Sequence, residues 1–254
     1  MKTLVTAIQK GGQGKTFATC HLAYDFAERG LRVAVIDLDT QGNASFTLER
    51  HHTGLNASQL FTHPEQVKTW AAGDCTVDGL AVIAADASLA NLDKADLATA
   101  AGVLRQSIAA LAGHFDVCLI DTAPSLGVGM TSAVLAADYM LSPIEMEAYS
   151  LQGMKKMVTV IGNLRKMNPK LKFLGMVPNK VDARKPRHVA NLATLQKAYP
   201  QLILPFSIGA RDSIAEALGE QMPVWKIRKT AARRATQEVR QLAEYVYTKM
   251  EISQ

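Results

Sequence analysis

Apolar runs alternate with helix-like patterns along most of the chain. Strand-like apolar runs cover residues 3–8, 32–37, 80–85, 116–121, 139–144, 172–181 and 202–206. Helical spacing of apolar residues predicts helices over 16–29, 95–112, 125–137, 150–166, 186–199 and 229–251. Strands that are apolar on both faces and separated by helices indicate a parallel sheet covered on both sides. We therefore expect an α/β fold: a single three-layer α/β/α domain over 1–254 with a mostly parallel, twisted sheet.

Two stretches complete this organisation. Residues 43–75 are less regular, and we expect a small helical excursion there. Residues 229–251 are expected to form a long closing helix, because Ala235, Val239, Leu242 and Val246 recur at spacings of three and four.

A glycine-rich loop lies between the first apolar run and the first predicted helix. In the segment GGQGKT, residues 11–16, glycines let backbone N–H groups converge on phosphate oxygens, and the following helix directs its positive end at the anion. Lys15 is expected to reach the β- and γ-phosphates, and Thr16 to place its hydroxyl on Mg²⁺. The strand–loop–helix order predicts a phosphate-binding loop.

Carboxylates end two other apolar runs. Asp37 and Asp39 are two residues apart, so on an extended chain they point the same way, towards the γ-phosphate. We interpret Asp39 as orienting or activating the attacking water, and Asp37 as supporting the magnesium shell or the switch. Asp121 ends the run at 116–121 as a Walker B carboxylate does, on the magnesium side. The glycines of 125–129 fit a loop that moves with the γ-phosphate.

Composition limits the class of protein. The 254 residues are 48% hydrophobic, enough for one large domain. Cys20, Cys75 and Cys118 are far apart without a C-x-x-C pair, which favours buried, reduced thiols over zinc or a disulfide framework. We see no signal-like N-terminus, and no apolar run approaches the roughly 18–20 residues that span a bilayer. We therefore expect a cytoplasmic protein.

Charge is distributed unevenly along the chain. Residues 1–149 contain 9 Lys and Arg against 16 Asp and Glu, whereas residues 150–254 contain 19 against 7. A basic half of this kind is either an ordinary solvated surface or a face that binds a polyanion such as nucleic acid.

Several segments together resemble the ParA/MinD family of deviant Walker-A ATPases, within the SIMIBI class of P-loop NTPases. They are KGGQGKT at 10–16, VIDLDTQGNAS at 35–45, DVCLIDTAPSLGVG at 116–129, YMLSPIEMEAYSLQGMKKM at 139–157 and GMVPNKVDAR at 175–184. The resemblance runs over essentially the whole chain and is strongest to plasmid partition ATPases. Because the phosphate-binding loop begins near residue 10, we expect no N-terminal helix-turn-helix domain.

The resemblance implies ATP/ADP and Mg²⁺ as cofactors and an ATP-dependent homodimer that holds two ATP molecules between its subunits. Lys10 would reach across to the partner's phosphates and, with Lys15 and Asp39, act in hydrolysis. Asn179 matches a residue that hydrogen-bonds adenine, Glu147 a position near the partner's ribose. The nucleotide contacts implied in this way are Gly11, Gly12, Gln13, Gly14, Lys15, Thr16, Phe17, Glu147, Asn179, Pro205 and Phe206, with Thr16, Asp37 and Asp121 on the metal side.

The resemblance also implies partners. Related ATPases bind double-stranded DNA non-specifically, which would place this protein on the nucleoid, and a ParB-type centromere-binding protein stimulates their slow hydrolysis and releases them. The basic residues that fit a DNA-binding surface are Arg211, Lys226, Arg228, Lys229, Arg233 and Arg234. Contacts of this kind give affinity without sequence readout.

Four functions stay open from the sequence. The first is the partition ATPase. The second is a MinD-like, membrane-associated positioning ATPase, although the tail YVYTKMEISQ has few basic residues and its apolar positions fit docking onto the domain. We therefore expect no stable membrane association. The third is an amide-forming ligase or an iron–sulfur reductase component, and the fourth a ParA-like binding module without turnover.

Overall fold

The computed structural model describes residues 1–73, 75–145 and 151–252, with only the backbone of 151–153. Seven strands form one sheet in the order β3-β4-β2-β5-β1-β6-β7, and every neighbouring pair is parallel. The strands are β1 (Lys2–Thr6), β2 (Val33–Leu38), β3 (His52–Asn56), β4 (Leu80–Ala84), β5 (Val117–Thr122), β6 (Tyr139–Glu145) and β7 (Lys172–Asn179). This architecture confirms the predicted α/β fold.

Helices cover both faces of this sheet. They are α1 (Lys15–Glu28), α2 (Asn43–Thr47), α3 (Pro64–Ala71), α4 (Leu97–Leu111), α5 (Val128–Ala136), α6 (Leu151–Met167), α7 (Pro186–Ala198), α8 (Asp212–Gly219) and α9 (Thr230–Lys249). Side chains alternate along β2, so Val35 packs in one core layer with α1 and α9, and Ile36 packs in the other with α4 and α6. Burial on both faces explains the continuous apolar runs.

The sequence missed one strand and one helix. Strand β3 lies inside the predicted helical excursion, and its sequence HTGLN is polar because it is an edge strand paired only with β4. Helix α8 follows the last apolar run and was not predicted. Both elements are short, and neither has the long apolar periodicity that makes an element visible in sequence.

The predicted strand at 202–206 was wrong. Only Ile203 forms a bridge, with Met176 of β7, and the next bridge along the chain joins Gly209 to Val181. Pro205 lies between the two and has no N–H to donate to a ladder, which prevents a continuous strand.

The closing helix lies against the domain. Its apolar residues Ala232, Ala235, Val239, Leu242, Ala243 and Val246 are buried. All three cysteines are buried, as the sequence predicted. Within the described ranges, no helix combines the length and apolar character needed to cross a membrane.

Candidate nucleotide-binding site

The loop between β1 and α1 is shaped by its glycines. Gly12 and Gly14 have φ of 73° and 100°, and Gly14 is the left-handed N-cap of α1. A Cβ on Gly14 would lie 2.1 Å from Nδ2 of Asn179, so the Asn179 amide or the loop would have to move. Glycine is therefore required at position 14 both by the backbone conformation and by the close approach of β7.

A cavity of about 590 Å³ opens over this loop. Nine residues predicted from the sequence to serve the nucleotide site line it: Gly11, Gly12, Gln13, Gly14, Lys15, Thr16, Phe17, Asp39 and Asn179. The sequence missed the other wall, which includes Gln41, Asn43, Phe46, Thr47, Pro124, Lys180, Gly209, Ile214, Ala215, Leu218 and Gly219. Most of that wall comes from α2 and α8. The short apolar pattern in IAEALG was the one sequence signal for α8, and it is too short to predict a helix by itself.

Asp121 lies beneath the cavity at the end of β5 and is fully buried. Thr16 donates its hydroxyl hydrogen bond to Oδ2 of Asp121 at 2.6 Å, and the Thr122 N–H donates to Oδ1 at 3.1 Å. Burial, and next the charge of Asp37, raise the pKa of Asp121 to about 7. The negative charge of the buried Asp121 carboxylate is therefore only partly balanced by positive charge nearby.

Asp37 pairs in register with Asp121 on the neighbouring strand. Its Oδ1 accepts from the Asp39 N–H at 3.0 Å, and its Oδ2 accepts from the Ser45 N–H at 2.8 Å and the Ser45 hydroxyl at 2.7 Å. Burial raises the pKa of Asp37. These bonds make Asp37 the anchor of residues 39–45.

Lys15 and Asp39 both line the cavity. Lys15 is only 7% exposed, and desolvation by burial lowers its pKa, against the opposing charges of Asp121 and Asp39. Asp39 has one oxygen occupied, since its Oδ1 accepts from the Gln41 N–H at 3.0 Å. Lys10 is exposed at the start of the loop.

The donors around Asp121 fit a magnesium ion. Carboxylate and hydroxyl oxygens are the protein ligands that Mg²⁺ prefers, and it takes few of them because its other ligands are water and phosphate. A buried carboxylate whose pKa is raised would be stabilised by a nearby dication. Thr16 and Asp121 are the residues that would hold it.

Other predicted contacts differ in position. Asn179 donates from Nδ2 to the Gln13 carbonyl at 2.8 Å, so it contacts the loop as well as lining the cavity. Phe206 packs against Tyr245, with ring centroids 5.6 Å apart. Neither Phe206 nor Pro205 lies in the cavity wall, which is formed on this side by Gly209 and α8. Glu147 lies outside the described residues.

The predicted DNA-binding residues divide into two groups. Lys226, Arg228 and Arg233 are exposed. The other three meet acidic side chains: Arg211 contacts Glu238 at 2.6 Å, Arg234 contacts the same carboxylate at 3.3 Å, and Lys229 contacts Glu216 at 2.7 Å. Arg211 also lines the nucleotide cavity.

Sequence comparison places the chain among known proteins. Residues 1–173 match the AAA domain family. The chain is 79% identical to the protein IncC of Escherichia coli over its full length, which is 71% of that relative. It is 33% identical to the chromosome partitioning protein ParA of Caulobacter vibrioides, over 72% of this chain and 71% of the relative.

Structural comparison gives the same fold. A point variant of Cyanothece McdA, solved as a complex with ATP, matches with a TM-score of 0.82 at 24% identity, covering 100% of this chain and 98% of that one. Cobyrinic acid a,c-diamide synthase from Mycobacterium smegmatis, solved with ADP and magnesium, matches with a TM-score of 0.71 at 29% identity, covering 87% and 91%. With its phosphate-binding loop and paired strand-end carboxylates, the chain belongs to the ParA/MinD family of P-loop ATPases and closely resembles IncC.

Proposed function

We propose that this protein is a ParA-type plasmid partition ATPase that acts as an ATP-dependent switch. The observation that carries the proposal is the buried Asp121 carboxylate bonded to Thr16, directly beneath a glycine loop that holds Lys15. The identity to IncC and the similarity to a chromosome partitioning protein support the partition role.

The site accounts for binding and hydrolysis of ATP. The loop N–H groups and the N-terminus of α1 would receive the phosphates, and Lys15 would balance their charge. Bound Mg²⁺ would neutralise charge on the phosphate oxygens and on Asp121. Asp39 lies at the end of β2 with a carboxylate facing the cavity, where it can orient a water for attack on the γ-phosphate. Turnover is proposed to be weak until a ParB-type partner stimulates it.

Lys10 supplies the link from ATP to dimerisation. It is exposed at the start of the loop, whereas Lys15 is buried. A cation in this place can approach the phosphates of a nucleotide held by a second subunit, which would join two subunits through two ATP molecules. Hydrolysis would remove the γ-phosphate charge and release the dimer.

The DNA-binding surface is proposed from the exposed cations of residues 226–234 together with Arg211. Phosphate contacts of this kind are non-specific and weaken steeply with salt. The MinD-like alternative gains no support from α9, whose apolar face is buried in the domain.

A DNA-binding assay tests the proposal. Binding to duplex DNA is measured without nucleotide and with ADP, ATP or a slowly hydrolysed ATP analogue, at two salt concentrations. We expect binding only with the triphosphate, weakened by salt, and lost in Lys10→Ala although ATP still binds. Lys68→Ala, an exposed lysine on α3, is the matched control and should behave as wild type. Binding that is indifferent to nucleotide would contradict the switch, and binding to anionic vesicles instead would favour the MinD-like function.

A further inference from the structure

We infer that Gln13 is a positioning residue: its side chain ties the phosphate-binding loop to the end of β6 and thereby sets the affinity for nucleotide without contacting it. The inference rests on the proposed function, because it assumes that the loop binds ATP. Gln13 is the residue of the glycine-rich stretch GGQG, residues 11–14, that carries a side chain.

The side chain of Gln13 makes all its polar contacts within the protein. Its Oε1 accepts from the Glu145 N–H at 2.8 Å, and its Nε2 donates to Oε2 of Glu145 and to the Gly11 carbonyl, both at 3.3 Å. Gln13 is 1% exposed, although it lines the cavity together with the glycines of the loop. An amide whose acceptor and donor are both hydrogen-bonded within the protein connects two segments of the chain and is not available to bind phosphate. We call this connection between Gln13 and Glu145 the Gln13 strut.

Two residues at the end of β7 complete the same attachment. Asn179 donates from Nδ2 to the Gln13 carbonyl at 2.8 Å, and Lys180 donates from Nζ to the Gly12 carbonyl at 2.8 Å. Glu145 pairs in register with Asn179, and Lys180 lies 3.6 Å from Glu145. The Gly12 and Gln13 carbonyls are therefore bound by Lys180 and Asn179, and the Gly11 carbonyl by the Gln13 amide, which leaves the loop N–H groups for an anion.

Glutamine is the side chain that fits this place. One end must accept from an N–H, and the other must donate to two oxygens, which requires an amide. Glutamate would set a carboxylate oxygen against the Gly11 carbonyl and the Glu145 carboxylate. An apolar residue would leave the Glu145 N–H and the Gly11 carbonyl without these partners, at the cost that lost hydrogen bonds carry.

The consequence is a loop fixed before nucleotide arrives. Binding is stronger when the receptor does not have to be ordered by its ligand, because the ordering cost is already met in the folded state. Loss of the Gln13 strut should therefore weaken binding of ADP and ATP alike, since both carry the phosphates that the loop receives. It should change the KM for ATP more than kcat, because Gln13 touches no reacting group.

An exchange of amide and acid between positions 13 and 145 tests the inference. Binding of ADP and of a slowly hydrolysed ATP analogue, each with Mg²⁺, is measured by calorimetry for wild type, Gln13→Glu, Glu145→Gln and the double variant. Steady-state kinetics give KM and kcat for ATP, and thermal melting of each variant reports folding. Gln201→Glu, an exposed glutamine after α7, controls for one added negative charge.

We expect Gln13→Glu to weaken both nucleotides about tenfold, the effect of losing one or two good hydrogen bonds. Glu145→Gln should stay within about twofold of wild type, because the new side-chain carbonyl at position 145 can still accept from the Gln13 amide and the lost pair with Lys180 is half-exposed. The double variant should recover most of the affinity, since the amide at 145 then donates to the acid at 13.

The alternative is that Gln13 contacts the phosphates. In that case the acid at 13 repels them in both backgrounds, so a double variant as weak as Gln13→Glu overturns the inference. A change in kcat with KM unaltered overturns it as well. If wild type itself binds no nucleotide, the proposed function fails first, and this inference fails with it. If Gln13→Glu melts early, the double variant still decides, because rescue of both folding and affinity requires the pair.

Discussion

The side chains at the phosphate end of the cavity are fixed differently from those of the basic surface, which consists of Arg211 and the cations of residues 226–234. At the phosphate end, each carboxylate at the end of β2 or β5 is fixed by neighbouring donors, and burial raises the pKa of both Asp37 and Asp121. On the basic surface the cations are exposed or bonded to single carboxylates, with Glu238 shared between Arg211 and Arg234. The first region is a preorganised site with one arrangement, whereas the second can exchange its partners in solution.

This difference ranks the expected effects of mutation. Mutations at the phosphate end should act by changing geometry and burial, so their effects on nucleotide affinity and stability should be large. Changes on the surface should act through screened charges, and should be small and dependent on salt.

The largest effect is expected for Gly14→Ala, which breaks the geometry of the phosphate end. The new Cβ would meet Asn179 at 2.1 Å on a backbone with φ of 100°. Either the Asn179 amide or the loop must move to relieve this contact, which disturbs the bond from Asn179 to the Gln13 carbonyl, and a displacement of about 1 Å in a binding constellation costs about 100-fold. Calorimetry with ADP and with a slowly hydrolysed ATP analogue measures the loss.

Gly30→Ala separates this clash from backbone strain. Gly30 has a similar positive φ of 87° at the end of α1, but a Cβ there has open space around it. We expect Gly30→Ala to lose stability and keep its nucleotide affinity. Equal affinity in Gly14→Ala and wild type would show that the loop does not need the close approach of β7.

The sequence predicted the two regions unequally. The loop, Thr16, Asp37 and Asp121 could be predicted because short local patterns at strand ends determine where those side chains point. The α8 wall of the cavity and the partners of Gln13 could not, because they depend on residues more than 100 positions apart meeting at one edge of the sheet. The cations of the basic surface could be identified from the sequence, but the pairing of Arg211 with Glu238 could not be predicted from it.

A second effect is expected for Asp121→Asn in the absence of nucleotide. The folded state raises the pKa of Asp121 to about 7, above the ordinary value for an aspartate, so the native protein holds this proton more tightly than the unfolded chain. Ionising Asp121 therefore costs stability as the pH rises from about 4 to about 7. Asp121→Asn lacks this cost and should be more stable than wild type at pH 8, by several kcal/mol.

Chemical unfolding at pH 5 and pH 8 measures that difference, which should shrink at pH 5. With Mg²⁺ and ATP the order should reverse, because only wild type has a carboxylate to pair with the metal. Asp96→Asn is the control: Asp96 is exposed, and bonds from Thr99 lower its pKa, so its removal should give no gain at pH 8. An Asp121→Asn protein that is less stable at pH 8 would show that the carboxylate is already neutralised in the fold.

The smallest effect is expected for Glu238→Gln on the basic surface. This carboxylate lies 2.6 Å from Arg211 and 3.3 Å from Arg234, and it also accepts from the Gly209 N–H at 2.9 Å. Glutamine can keep the Gly209 bond through its carbonyl oxygen while releasing both guanidinium groups. Affinity for duplex DNA in the ATP state should therefore rise about threefold, and the slope of log affinity against log salt should steepen by about one for each released cation.

Glu244→Gln provides the matched control for this last effect, because Glu244 is on the same helix and pairs with Arg29, outside the proposed DNA-binding residues. It removes the same charge and should leave the salt slope unchanged. If Glu238→Gln and Glu244→Gln change DNA affinity equally, the gain comes from net charge alone. In that case Arg211 serves the nucleotide cavity that it lines rather than the DNA, and the basic surface is limited to residues 226–234.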